Sequence, residues 1–143
     1  MKKTWTADEI AAMGEKAAGM HGVGCNCAQS VFLMFAEEGG LDAETARKLM
    51  QSFGGGLAVG EVCGALSGAE AALGLLSDPV PPGDFAAKMA FSERAKALAE
   101  AFREGAGSLR CETLRPEDME ARRAVCGGYI RLGVKLAAEA LMK

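Results

Sequence analysis

Apolar residues recur at helical spacing from one end of this chain to the other, and no convincing apolar–polar alternation of the β type interrupts them. Thr6 with Glu9 forms a capping-box pattern that opens a helix near Ala7, running through Ile10, Met13 and Ala17 to about Met20. His21 to Asn26 reads as a loop. Asn26 caps a second helix, with Ala28, Val31, Phe32 and Phe35 on one stripe and Gly39-Gly40 at its end. Asp42 caps a third, with Ala46, Leu49, Met50 and Phe53 on one face. Gly54-Gly55-Gly56 breaks the pattern, and Gly60-Glu61 leads into a fourth helix from about Val62 to Leu76, whose apolar face is Val62, Leu66, Ala69, Leu73 and Leu76. Asp84 caps a fifth from about Phe85 to Glu104, and Pro116 opens a sixth, which Gly127-Gly128 is expected to interrupt. The prolines of Asp78-Pro79-Val80-Pro81-Pro82-Gly83-Asp84 exclude helix there. The expected fold is all-α. It is a single-domain bundle of about five to seven helices over residues 1–143, with helical parts at about 1–77 and 84–143 joined by the proline-rich linker.

A second stripe on the fourth helix, Gly60, Gly64, Gly68 and Ala72, repeats every four residues. Glycine costs about 1 kcal/mol against alanine inside a helix. Several in one row imply that another backbone or a bound group lies close to that face, and tight helix packing is the simpler of the two.

The 143 residues suit one domain, and a formal net charge of −3 argues against nucleic acid as a partner. The N-terminus carries Lys2 and Lys3 followed by acids, without the apolar stretch of a signal peptide, and no run approaches a membrane span. The chain reads as cytoplasmic, where thiols stay reduced. Its five cysteines are then metal ligands, redox thiols or small buried hydrophobes rather than static disulfides. Whether the chain forms a homo-oligomer is left open.

Cys27 falls at the start of the second helix and Cys63 at the start of the fourth, where backbone N–H groups and the helix dipole are expected to lower a thiol pKa. Cys111 lies in what reads as an irregular stretch, and Cys126 adjoins Gly127-Gly128, whose small residues would let backbone approach the sulfur. Cys25-Asn26-Cys27 is too tight for an unstrained disulfide. His21 is a weak candidate for a further ligand, since a lone histidine is more often a hydrogen-bonded surface or core residue. The absence of C-x-x-C excludes a thioredoxin motif and a zinc ribbon. The glycine run follows a helix and does not match G-x-G-x-x-G, so a dinucleotide-binding turn is not supported. The arginines between Arg94 and Arg123 are interleaved with acids and read as a solvated mixed-charge face.

Asn26-Cys27-Ala28-Gln29-Ser30-Val31, Phe53-Gly54-Gly55-Gly56, Cys63-Gly64-Ala65-Leu66-Ser67-Gly68 and the single cysteines 111 and 126 together resemble the C-GCAxxG-C-C family of redox-active proteins. The resemblance covers nearly the whole chain. It implies a four-cysteine site at Cys27, Cys63, Cys111 and Cys126, with Gly64 and Gly127 beside it, Cys25 as an extra and His21 outside the pattern. A similar module in split-Soret cytochromes is associated with an iron–sulfur cluster. The lack of C-x-x-C-H argues against c-type haem here. Three functions follow. The first is an iron–sulfur cluster, with zinc as the alternative metal, serving electron transfer or redox sensing with an unidentified redox partner. The second is dithiol/disulfide chemistry with Cys27 or Cys63 as the attacking thiolate. The third is a non-catalytic helical module with buried cysteines.

Overall fold

The computed structural model describes residues 4–143; Lys2 and Lys3, part of the N-terminal charge reading, lie outside them. The described residues form α1 (Ala7–Gly22), α2 (Cys27–Ala36), α3 (Ala43–Leu49), α4 (Gly64–Leu75), α5 (Phe85–Ala106), α6 (Cys111–Leu114) and α7 (Met119–Met142). There is no strand among them, so the all-α expectation holds. A 3-10 turn, Glu37–Gly39, follows α2, and a left-handed turn, Gly56–Gly60, precedes α4.

Local sequence accounts for where the helices start. The Thr6 and Asn26 side chains accept hydrogen bonds from the Glu9 and Gln29 amides, and the side chains of Glu9 and Gln29 accept from the cap amides in return. Asp42 and Asp84 cap α3 and α5 through the amides of Thr45 and Ala87. These bonds satisfy donors that the first helical turn leaves open. Gly107, with φ +95°, closes α5 in the left-handed conformation that favours glycine.

Helices α2, α4 and α7 pack around one core, in which Val31, Phe35, Leu73, Ile130 and Val134 are fully buried, and Phe102 reaches into it from α5. Trp5 closes one end, its ring edge-on to Phe35 at 5.6 Å and its amide donating to Met142 Sδ at 3.3 Å. Helix α1 lies along α7, where Gly14 admits the Arg131 side chain. With few rings available, the core is drawn together by small residues. A Cβ on Gly68 would stand 2.5 Å from the Ala28 carbonyl oxygen, and one on Gly133 would stand 2.8 Å from that of Ala65. The glycine stripe of α4 is thus the seat of α2, as the simpler reading has it.

Several boundaries differ from expectation. Helix α1 continues through His21 and Gly22 instead of ending at Met20. Helix α3 stops at Leu49, which is 51% exposed, so Phe53 belongs to the following turn rather than to an α3 face. Helix α4 begins at Gly64. Val62 is held in an antiparallel backbone bridge with Arg110, and Gly60 lies in the left-handed turn, so neither extends the α4 stripes. The stretch at Cys111 is a short helix, and α7 starts at Met119 under an Asp118 cap, after Pro116. It runs unbroken through Gly127-Gly128, because α1 packs along this segment.

Two stability predictions follow. Gly68→Ala forces a Cβ into backbone that cannot yield without moving α2, so it should lower the unfolding free energy by about 1–3 kcal/mol. Gly19→Ala, at an exposed α1 position with nothing within 4 Å, should instead raise it, by up to about 1 kcal/mol; urea denaturation reads both. The second concerns Glu70 on α4, whose Oε1 is buried without a hydrogen-bond partner, and whose pKa burial raises from 4.5 to about 7. Between those values the folded chain binds more protons than the unfolded one, so this group's contribution to stability is lost as pH rises through the window. Glu70→Gln should therefore stabilise the protein at pH 8 and make no difference near pH 4, as read by denaturation at both values.

Candidate functional site

Four cysteines reach one region from four separate elements. Cys27 is the first residue of α2, Cys63 the cap residue of α4, Cys111 the first residue of α6, and Cys126 lies in the second turn of α7. Three devices bring them together. Gly64 lets α4 approach α2 so closely that an added Cβ would stand 3.2 Å from that of Cys27. The Cys63 amide donates to the Leu109 carbonyl at 2.8 Å, and the Cys111 amide donates to the Glu61 carbonyl at 2.6 Å. These two bonds bracket the Val62–Arg110 bridge, and alternation along paired extended backbone sends the side chains of Cys63 and Cys111 to the same side. Lastly, the Tyr129 hydroxyl on α7 donates to the Leu114 carbonyl at 3.2 Å, fixing α6 against the helix that carries Cys126.

The turn before Cys63 is unusual. Gly55, Gly56, Leu57 and Ala58 have φ between +60° and +65°, which makes a left-handed helical turn with two non-glycine residues in it. Gly56 is required there, because a Cβ would meet that of Cys111 at 2.8 Å and the Glu61 amide nitrogen at 2.5 Å.

Each of the four thiols lies within electrostatic reach of the other three. Cys126 is the neighbour that acts most strongly on Cys27 and, together with burial, pushes its pKa far up, while Cys27, with help from Arg122 and Arg115, holds Cys126 down. Burial pushes Cys63 up to about 11, although the amides of Ala65 and Leu66 at the α4 N-terminus pull the other way. Cys111 is also raised by burial, against the opposing pull of the Arg115 guanidinium. At Cys63 burial outweighs the helix N-terminus on which the sequence expectation relied, and in the Cys27–Cys126 pair the direction favours Cys126 as the thiol shifted down.

The remaining candidates fall elsewhere. Cys25 is half-buried and is not among the sulfurs that perturb the four. His21 is lowered by burial and by Arg123, and its Nδ1 is buried without a hydrogen-bond partner. Gly64 touches Cys27, and a Cβ on Gly127 would make ordinary contacts with the Arg131 side chain at 3.6 Å and with Ala18 on α1 at 3.8 Å. Among the described residues, no group of three or more His, Cys, Asp or Glu side chains is gathered so as to hold a metal ion. Arg115, Arg122 and Tyr129 are the residues the sequence reading missed. Two of them carry a signal, since Arg122 stands one helical turn before Cys126 and Arg115 four residues after Cys111.

The fold is a small helical bundle in which four cysteines perturb one another. The family model described as "Putative redox-active protein (C_GCAxxG_C_C)" matches residues 25–140, and the chain belongs to that family. No curated protein and no solved structure matches it. None of the described helices is long and apolar enough to cross a membrane.

The thiol assignment is testable on metal-free protein. Alkylation of Cys126 by iodoacetamide should rise with pH through a midpoint near 7. Cys27→Ala removes the neighbour that shifts Cys126 most, so the midpoint should move towards the ordinary thiol value and the rate at pH 7 should fall on the order of tenfold, read by peptide mass spectrometry.

Proposed function

We propose that the chain is a redox protein whose four cysteines Cys27, Cys63, Cys111 and Cys126 hold an iron–sulfur cluster for electron transfer or redox sensing. The convergence of four thiols from four elements carries this reading. The donor set suits the group, because four thiolates ligate [2Fe–2S] and [4Fe–4S] clusters. Four thiolates also hold structural zinc, so zinc is the alternative metal, and the assay below separates the two.

When bound, the cluster would supply one-electron chemistry. The chain's own residues do the rest. Asn26 fixes the start of α2 through Gln29, and its side-chain amide donates to the Met50 and Gln51 carbonyls, which orients Cys27 against the glycine turn. The Glu61–Cys63 and Leu109–Cys111 segments orient the next two sulfurs, and Arg115 and Arg122 place positive charge beside the last two.

One observation favours a second reading. Cys27 and Cys126 are the pair of thiols that perturb each other most, one upward and one downward, which is the asymmetry that dithiol/disulfide exchange uses. In this reading Cys126, not Cys27 or Cys63, is the attacking thiolate.

Anaerobically purified protein should absorb broadly in the visible and contain iron and acid-labile sulfide in comparable amounts. Cys25→Ser should leave both unchanged, whereas serine at position 27, 63, 111 or 126 should each reduce them severalfold. Stoichiometric zinc in a colourless protein would make the site structural. A metal-free protein that also resists reconstitution with iron and sulfide would leave the Cys27–Cys126 dithiol.

A further inference from the structure

The left-handed turn before α4 displays an apolar tip against α6. Its two ends are buried glycines: a Cβ on Gly56 would stand 2.8 Å from that of Cys111, and one on Gly60 would stand 3.1 Å from that of Glu112. Between them Leu57, Ala58 and Val59 are all exposed, Leu57 by 47% and Val59 by 68%. Val62, exposed too, lies just past the turn in the pairing with Arg110. No folding contact calls for these side chains. At Leu57 and Ala58 φ lies near +60°, where glycine or asparagine fits at less cost, and none of the three turn residues belongs to the core. A tip shaped by folding alone would carry polar turn residues. Aliphatic side chains held exposed on a constrained backbone suit a surface that another molecule covers.

Size and place say what covers it. Four aliphatic residues fall far short of the roughly 20–30 a side in a stable interface, which speaks against a lasting dimer with a second copy and fits the small contacts of transient redox encounters. Beneath the tip lies half-buried Cys111, so a molecule seated on the turn is brought against the site. On the flank Arg110 pairs with Glu112 at 3.1 Å and with Glu61 at 3.7 Å, which leaves one net negative charge among the three. That flank disfavours an anionic lipid surface and leaves aliphatic contact as the main source of recognition.

We propose that Leu57, Ala58 and Val59, with Val62, form the docking surface for the redox partner protein of the four-cysteine site. The proposal rests on the redox reading above and gives its partner a place to bind. The partner carries a flavin, iron–sulfur or dithiol centre beside an apolar face of its own. When it reduces the site it gives one electron to a cluster, or two electrons with two protons to a disulfide whose S–S bond opens to two thiols. It is oxidised by the same number of electrons.

The test starts with benzoylphenylalanine in place of Val59, irradiated in cells that make the protein naturally, and with the captured protein identified and purified. That protein should contain a redox centre and should reduce the parent chain on stopped-flow mixing. Val59→Ser and Leu57→Asn should each slow this reaction about fivefold, whereas Phe85→Ser, which removes a 73% exposed ring from α5, should stay within about twofold of the parent. Reduction by dithionite, or by dithiothreitol where the site is a disulfide, needs no docking and should be alike in all. Leu57→Asn should also raise the thermal midpoint, because asparagine tolerates positive φ, so a slower reaction in that variant is not a loss of fold. Capture of a second copy, of a protein that does not reduce the chain, or of nothing would overturn the proposal. So would rates unmoved by both turn variants. In each of these cases a parent chain that the small reductants still reduce keeps the redox reading, and one that they do not reduce removes both.

Discussion

The backbone of α4 lies against the backbone of α2, and the rest of the site depends on that approach. Glycine at positions 64 and 68 removes the side chains that would hold the helices a full diameter apart, and the Ala28 carbonyl occupies the space. The contact has a geometric consequence beyond packing. It brings the first turns of the two helices side by side, so that a cysteine at the start of each faces the other. Longer side chains along this seam would give a conventional bundle with Cys27 and Cys63 held apart. The low aromatic content belongs to the same design, because a core closed by backbone contact has little room for rings.

The second pair of cysteines comes from across the proline linker. Two amide–carbonyl bonds, from Cys63 to Leu109 and from Cys111 to Glu61, form a minimal patch of antiparallel pairing between segments nearly fifty residues apart. Each cysteine donates its own amide in this pairing, so the bonds that join the segments also fix the sulfurs. Tyr129 and Arg122, whose Nε donates to the Pro116 carbonyl, then tie α6 and the loop after it to α7, which delivers Cys126. The site is thus held by hydrogen bonds at its rim and by apolar packing further along α4 and α7, where Leu66, Leu73, Ile130 and Val134 are buried.

What the sequence makes legible is local chemistry. Thr6, Asn26, Asp42 and Asp84 each announce a helix through a side chain that can reach an amide three residues on, and each does so in the structure. The glycine stripe likewise signals close approach without naming the neighbour. The tertiary features are a different matter. Nothing in Glu61-Val62-Cys63 reveals that it pairs with Leu109-Arg110-Cys111, because two residues of backbone pairing have no periodicity to detect. The unbroken course of α7 through two glycines is set by α1 packing beside it, not by propensity. The thiol acidities are hidden from the sequence for a related reason. A helix N-terminus is visible in sequence, but burial and the approach of a second sulfur are not, and here they dominate.

The left-handed turn shows how stability is distributed around the site. Leu57 and Ala58 adopt φ values near +60°, each costing roughly 1–2 kcal/mol for an L-residue. Leu57 is 47% exposed, so burial of its side chain does not offset that cost. The turn is kept because of what lies beneath it. It carries Gly56 onto Cys111, lets the Gly56 carbonyl accept from the Glu61 amide, and so sets the height at which Glu61-Val62-Cys63 meets its partner segment. A relaxed right-handed turn over the same residues would displace Cys63 from Cys111. Backbone strain and four mutually perturbing thiols thus occupy one region of the molecule, beside the unstrained helical packing that sustains them. A fold under selection for stability alone would have no reason to gather these costs in one place, whereas a site that must bring four sulfurs together has no means of avoiding them.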